Sequence, residues 1–189
     1  MKNILSTVRL LRTLLASNCG RPGYPLKLSF AVTYRCNLSC SMCRIWRKVP
    51  GPELSLEDIR RFFGRSRGFS WVGITGGEPF LREDLSGIVE TVLDRCGGLR
   101  ALHFATNGTL TDRVMGIVDL IRRRAPEVET VFTVSVDGPP SLHDRIRGRQ
   151  GVWKSAVETF LRLKGVPGVK AQVGFTLSRE NVGSFSAAH

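Results

Sequence analysis

The chain has 189 residues, with 28 Lys plus Arg against 16 Asp plus Glu and a formal net charge of +12. Apolar residues make up 42% and charged residues 23%, a globular mix that excludes a disordered or collagen-like chain. A domain of this length buries about 70% of its unfolded surface, so it needs no disulfide scaffold; five cysteines are too few, and odd in number, to build one.

Residues 1–17 place Ile4, Leu5, Val8, Leu11 and Leu15 at spacings of three and four, which predicts an amphipathic helix. Arg9 and Arg12 interrupt the uncharged stretch of ~7–15 residues that a secretory leader requires. No run reaches the ~18–20 apolar residues of a membrane span. A reducing, cytoplasmic setting is therefore expected, with the helix capping the core or, on the other reading, making peripheral membrane contact. Residues 1–25 are read as this helix and a Gly/Pro-rich linker, and residues 26–189 as the main domain. Of the 28 basic residues 22 are arginine, in short clusters such as Arg122-Arg123-Arg124. Such clusters read as solvated helix surface, so nucleic acid is not an expected partner.

From Leu26 the pattern alternates. Strands are predicted at Leu28–Thr33, Trp71–Thr75, Ala101–Ala105, Val131–Val136 and Val169–Leu177. Helices are predicted at Leu54–Phe63 (entered at Ser55), Asp84–Cys96, Thr111–Arg124 and Val152–Lys164. This is the signature of βαβ units on a parallel sheet. The intervals alone do not separate a barrel from an open doubly wound sheet. After the fifth strand, Ser178-Arg179-Glu180-Asn181 reads as the start of another helix, and the chain is expected to be the N-terminal portion of a longer protein.

Each distinctive segment follows a strand, the edge where parallel α/β proteins build their sites. The first is Cys36-Asn-Leu-Ser-Cys40-Ser-Met-Cys43, with C-x3-C-x2-C spacing. Three thiolates on one loop in a reducing setting point to a metal. Structural zinc closes with four ligands, and no histidine lies near. Electron-transfer clusters also take four cysteines; three fit a 4Fe–4S cluster with one iron left without a protein ligand. Cys96 is read as core, and Cys19 is left open.

With this loop the chain resembles the radical S-adenosylmethionine (SAM) superfamily, in particular its sulfatase-maturating and peptide-modifying (SPASM-type) members and the GTP cyclases of molybdenum-cofactor biosynthesis. The resemblance covers about Leu26 to Leu177. Trp46, three residues after Cys43, fits it. So do Gly76-Gly77-Glu78-Pro79 after the second strand and Thr106-Asn107-Gly108 after the third. Ser135-Val-Asp137-Gly138, His143-Asp144 and Arg145-Ile-Arg147-Gly148 follow the fourth. The resemblance implies a partial (β/α)6 TIM-like barrel with about five βα units visible. It makes Cys36, Cys40 and Cys43 the cluster ligands. It gives SAM binding to Met42 (against adenine, where relatives carry an aromatic residue), to Gly76, Gly77, Glu78 and Pro79, to Asn107 near the ribose, and to Ser135, Asp137 and Arg147. In this reading the two glycines admit SAM to the backbone, Glu78 accepts from its ammonium, and Ser135 and Arg147 hold its carboxylate. His143 is read as ordering its loop.

The implied chemistry is reductive cleavage of SAM to methionine and a 5′-deoxyadenosyl radical, which abstracts hydrogen from a substrate. The cofactors carry that chemistry, and no general base in this segment is invoked. The implied partners are a flavodoxin- or ferredoxin-like electron donor and a small-molecule or peptide substrate. The other readings are an iron–sulfur redox or nucleic-acid-binding sensor, and a truncated SAM-binding relative without turnover.

Overall fold

The computed structural model describes residues 25–187, together with the helical positions Val8, Leu11 and Leu15. The rest of the predicted N-terminal helix, and Cys19, lie outside the described residues. Strands Lys27–Thr33 (β1), Trp71–Gly76 (β2), Ala101–Thr106 (β3), Glu129–Ser135 (β4) and Val169–Gly174 (β5) form one parallel sheet in the order β1-β2-β3-β4-β5. Each strand lies beside its predecessor, so the chain winds in one direction. A doubly wound sheet reverses its order midway, whereas a TIM-like barrel does not. The fold is α/β with part of such a barrel.

Five helices pair with the strands: Leu56–Arg65 (α1), Leu85–Arg95 (α2), Thr111–Arg124 (α3), Pro140–Arg147 (α4) and Val152–Lys164 (α5). A capping box starts α1: the Ser55 hydroxyl accepts from Asp58 N at 3.1 Å, and Asp58 Oδ2 accepts from Ser55 N at 3.3 Å. Ile59 and Phe63 of α1 join Ile88, Val89 and Val92 of α2 and Val114, Ile117 and Ile121 of α3 in one core. They cover Val72, Ile74, Leu102, Phe104, Phe132 and Val134 of the sheet, where the Phe104 and Phe132 rings stack at 4.9 Å. A smaller cluster of Leu38, Cys40 and Val152 ties the cysteine loop to the start of α5.

The alternate strand residues tell a different story. Ser29, Ala31, Trp71, Lys170 and Gln172 are exposed, and His103 Nε2 and Thr133 Oγ1 are hydrogen-bonded at 2.8 Å on a half-open surface. Parallel sheets are normally covered on both faces. Among the described residues the helices cover one face of this one, while on the other only Gly73, Ala101 and Val131 are buried.

Three segments differ from expectation. Helix α4 occupies what reads as loop: Pro140 suits the first helical turn, and Gly148 closes the helix at φ +71°. The fifth strand stops at Gly174, because β4, its one strand partner among the described residues, ends in register at Ser135. Beyond it, Thr176 N bonds Asp137 Oδ1 at 2.9 Å instead. Ser178–Asn181 forms a turn, with Ser178 N donating to Asn181 Oδ1 at 2.7 Å, and a 3-10 segment follows at Val182–Ala187. The α-helix expected there is not formed.

Candidate functional site

The cysteine loop leaves the C-terminal end of β1 and folds over the ends of the next three strands. Cys36, Cys40 and Cys43 are free thiols, half-buried, buried and exposed respectively. The loop is held by backbone: Ser41 N donates to Ile146 O at 2.8 Å, and Trp46 Nε1 donates to Cys40 O at 3.2 Å. The end of α4 lies directly on it. A Cβ at Gly148 would stand 2.3 Å from Ser39 Oγ and 2.7 Å from Ser39 O, so only glycine fits this contact. Burial pushes the Cys36 and Cys40 thiols up, and the Arg147 charge draws Cys40 partly back.

Gly76 and Gly77 serve a contact within the protein. Gly77 N donates to Thr33 O and Glu78 N to Arg35 O, both at 2.8 Å. A Cβ at Gly76, whose φ is +146°, would stand 2.1 Å from Thr33 O, and one at Gly77 2.2 Å from Arg35 O. The close approach is therefore to the segment that launches the cysteine loop. Glu78 is fully buried. Its Oε1 accepts from Thr106 Oγ1 at 2.9 Å and Phe80 N at 3.3 Å, and its Oε2 from Asn107 N at 2.7 Å. Burial raises its pKa to about 7 against these bonds. Asn107 Nδ2 reaches back to Asn37 Oδ1 at 2.8 Å, so the loops after β1, β2 and β3 form one hydrogen-bonded unit.

The loop after β4 brings in a buried ion pair. Asp137 Oδ2 and Arg147 Nη2 are 2.6 Å apart, and Arg147 Nη1 lies 3.7 Å from Cys40 Sγ. Arg147 Nε is buried without a hydrogen-bond partner among the described residues. His143 is fully buried and its Nδ1 accepts from Asp137 N at 3.0 Å, so the ring is neutral; burial lowers its pKa to about 4. It orders the loop that presents Asp137.

These elements enclose a cavity of ≈ 200 Å³. Its lining includes Cys36, Cys40, Cys43, Gly76, Gly77, Asn107, Ser135 and Arg147, drawn from the ends of four strands. Met42, Glu78, Pro79 and Asp137 do not line it. Met42 packs against the Leu38–Cys40–Val152 cluster, and Glu78 and Asp137 spend their carboxylates on neighbouring loops. Leu38, Ile45, Trp46, Thr106, Thr75 and Ala105 complete the wall. The last two were legible only as the strand-end residues sharing a face with Ser135. Nothing in the sequence marked Asn37. Cys96 is buried in the core, where its pKa rises to about 11.

Three thiols from one loop face one cavity, a donor set of the kind that iron–sulfur clusters take. Among the described residues no three Cys, His, Asp or Glu side chains are grouped closely enough to hold a single metal ion. A one-way parallel barrel sheet with its site at the strand ends is the architecture of TIM-like barrel enzymes. The chain belongs to the radical SAM superfamily, whose family model matches residues 30–176. It is 31% identical over 156 residues to Fe-coproporphyrin III synthase of Methanosarcina barkeri, an alignment covering 80% of this chain and 37% of that protein. It is 35% identical over 136 residues to GTP 3′,8-cyclase of Synechococcus, covering 70% and 37%. It is 26% identical over 177 residues to the subtilosin biosynthesis protein AlbA of Bacillus subtilis, covering 90% and 37%. The chain thus spans well under half the length of these relatives. In structure it is similar to Streptococcus suis SuiB bound to precursor peptide SuiA, with a TM-score of 0.67 at 16% identity over 92% of this chain and 38% of that one.

Proposed function

We propose that this domain binds a 4Fe–4S cluster and SAM in the thiol-lined cavity and initiates radical chemistry on a peptide or protein side chain. One observation carries the reading: three free thiols, two strand-end glycines, Ser135 and Arg147 line a single cavity. When bound, the reduced cluster supplies the electron that splits SAM into methionine and a 5′-deoxyadenosyl radical, which takes hydrogen from substrate.

The chain's own groups hold, orient and exclude. Cys36, Cys40 and Cys43 are the ligands; burial favours the neutral thiol at Cys36 and Cys40, so loading a metal there releases protons. Arg147 is fixed by Asp137, so its guanidinium meets the cavity already oriented, with Ser135 beside it for the SAM carboxylate. The strand-end backbone at Gly76 and Gly77 is assigned to the SAM amino group and Asn107 to its ribose. Glu78 acts by position, clasping the loops that carry these groups. The peptide class is supported by the peptide-bound structural neighbour and by the subtilosin relative.

Anaerobic reconstitution tests the reading. About four irons per chain are expected, lost on replacing any of Cys36, Cys40 and Cys43 and retained on replacing Cys96. Adding SAM to the reduced protein should alter its electron paramagnetic resonance spectrum. An unchanged spectrum at full iron content would overturn SAM binding.

A further inference from the structure

The five strands are parallel, so each helix that leads into one ends at the edge where the strands begin, opposite the thiol cavity. Every such helix has cations in its last turn: Arg65 in α1, Arg95 in α2, Arg122, Arg123 and Arg124 in α3, and Lys164 in α5. Cations there complement the helix dipole, but a run of three in α3 exceeds what that needs. Arg65, Arg95, Arg122, Arg123 and Lys164 are exposed and have no ion-pair partner among the described residues. Arg124 takes up Asp94 at 2.7 Å and Lys170 takes up Glu129 at 2.8 Å, which leaves Asp119 and Glu127 as the unpaired acids at this edge. Arg122 and Arg123 border a cavity of ≈ 410 Å³ that Pro126, Thr130 and Gly168 also line. At the start of β2, Trp71 is 40% exposed, with the Lys27 ammonium 4.8 Å from its ring centroid.

The segment that enters β1 at this edge adds an apolar face. Helical positions Val8, Leu11 and Leu15 fall at spacings of three and four and are 44%, 54% and 64% exposed. Before Lys27 the sequence carries Lys2, Arg9, Arg12 and Arg21 and no Asp or Glu.

We propose that this edge docks on a bilayer of anionic lipid, with the Val8, Leu11 and Leu15 side chains entering the headgroup layer. The unpaired arginines answer lipid phosphates, and Trp71 has the apolar body and polar tip of an interfacial residue. The exposed stripe supplies the apolar burial that charge alone lacks. Nucleic acid would answer the arginines and leave the stripe in water, so a bilayer accounts for more of this surface. Because the thiol cavity lies at the other end of the strands, docking here leaves it turned to the aqueous side.

Co-sedimentation of the full chain with vesicles tests the surface. Binding is expected to mixed phosphatidylglycerol–phosphatidylcholine vesicles and not to phosphatidylcholine alone, and it should weaken as salt rises. Arg122→Glu/Arg123→Glu should weaken it about tenfold or more. Leu11→Glu/Leu15→Glu should weaken it as strongly. The reversal Arg149→Glu/Lys154→Glu makes the same charge change on exposed residues at the opposite end and should bind as wild type. No binding to the mixed vesicles, or equal loss in the opposite-end variant, would overturn the proposal. So would a duplex DNA that binds through Arg122 and Arg123 when vesicles do not, which would assign the edge to nucleic acid. A Leu11→Glu/Leu15→Glu variant that turns a dimer into a monomer with vesicle binding intact would make the stripe a contact between copies and overturn it as well. The expected binding is the same with or without bound iron, so it stands apart from the cluster reading.

Discussion

At Gly77 a missing side chain holds the site together. A Cβ there meets the Arg35 carbonyl at 2.2 Å, and both partners are backbone, so neither yields by a rotamer change. Gly77→Ala should therefore push the cysteine loop off its seat, lowering the melting temperature and the reconstituted iron content together. Loss of SAM response with full iron and an unchanged melting temperature would instead show that Gly77 acts through SAM binding alone and not by seating the loop. Glu78 gives a second residue-scale prediction. Glu78→Gln turns an amide NH2 toward a group that donates to Glu78 and should cost about 1–3 kcal/mol. The pH dependence has a definite sign. Glu78 titrates at about 7 in the folded chain against 4.5 as its ordinary value. Its contribution is present in full below the unfolded value and is lost as pH rises through the folded one. Urea unfolding should show the gap between wild type and Glu78→Gln widest near about pH 5 and narrower near about pH 8. His143, held down at about 4, contributes with the opposite sign, lost as pH falls below 6.5, but does so in both proteins and cancels.

At the scale of elements, the join between the end of β4 and α4 decides how Arg147 is presented. Removing one member of a buried ion pair leaves an uncompensated charge, at a cost of about 3–5 kcal/mol. Asp137→Asn should destabilise the apoprotein by about that amount, and adding Arg147→Met should recover part of it. Denaturant midpoints of the two variants check this; a double variant less stable than the single would show that the pair does not act as a unit. The same region shows how far the sequence could be read. The strand–helix alternation was legible because each strand is a short β-branched or aromatic run, and each long helix has an apolar stripe of period near 3.6. The cysteine spacing and the strand-end motifs located the site. Helix α4 was hidden because Pro139-Pro140 and a charged surface read as loop, although proline at the first turn and glycine just past the end are sound helix signals. The division of labour within the motifs was not legible either. Glu78 and Asp137 sit beside cavity residues in sequence, but only the fold shows their carboxylates turned to neighbouring loops.

Across the whole molecule, the two faces of the sheet are unequal, and this asymmetry is measurable. Phe104 is fully buried between the Phe80 and Phe132 rings, at 6.0 and 4.9 Å, on the helix-covered face. Gln172, across β4 from the other face, is exposed and lies in register with Thr133. Deleting a buried aromatic side chain removes its transfer free energy and leaves a cavity, at about 3–5 kcal/mol. A surface truncation away from caps and ion pairs stays within about 0.5 kcal/mol. Phe104→Ala should thus unfold at much lower urea concentration than wild type, and Gln172→Ala at nearly the same concentration. A substrate bound against the open face would make Gln172→Ala matter for binding while leaving it silent in folding. If Gln172→Ala instead lowered stability as much as Phe104→Ala, that face would be covered in the folded protein, and the one-sided core described here would be wrong.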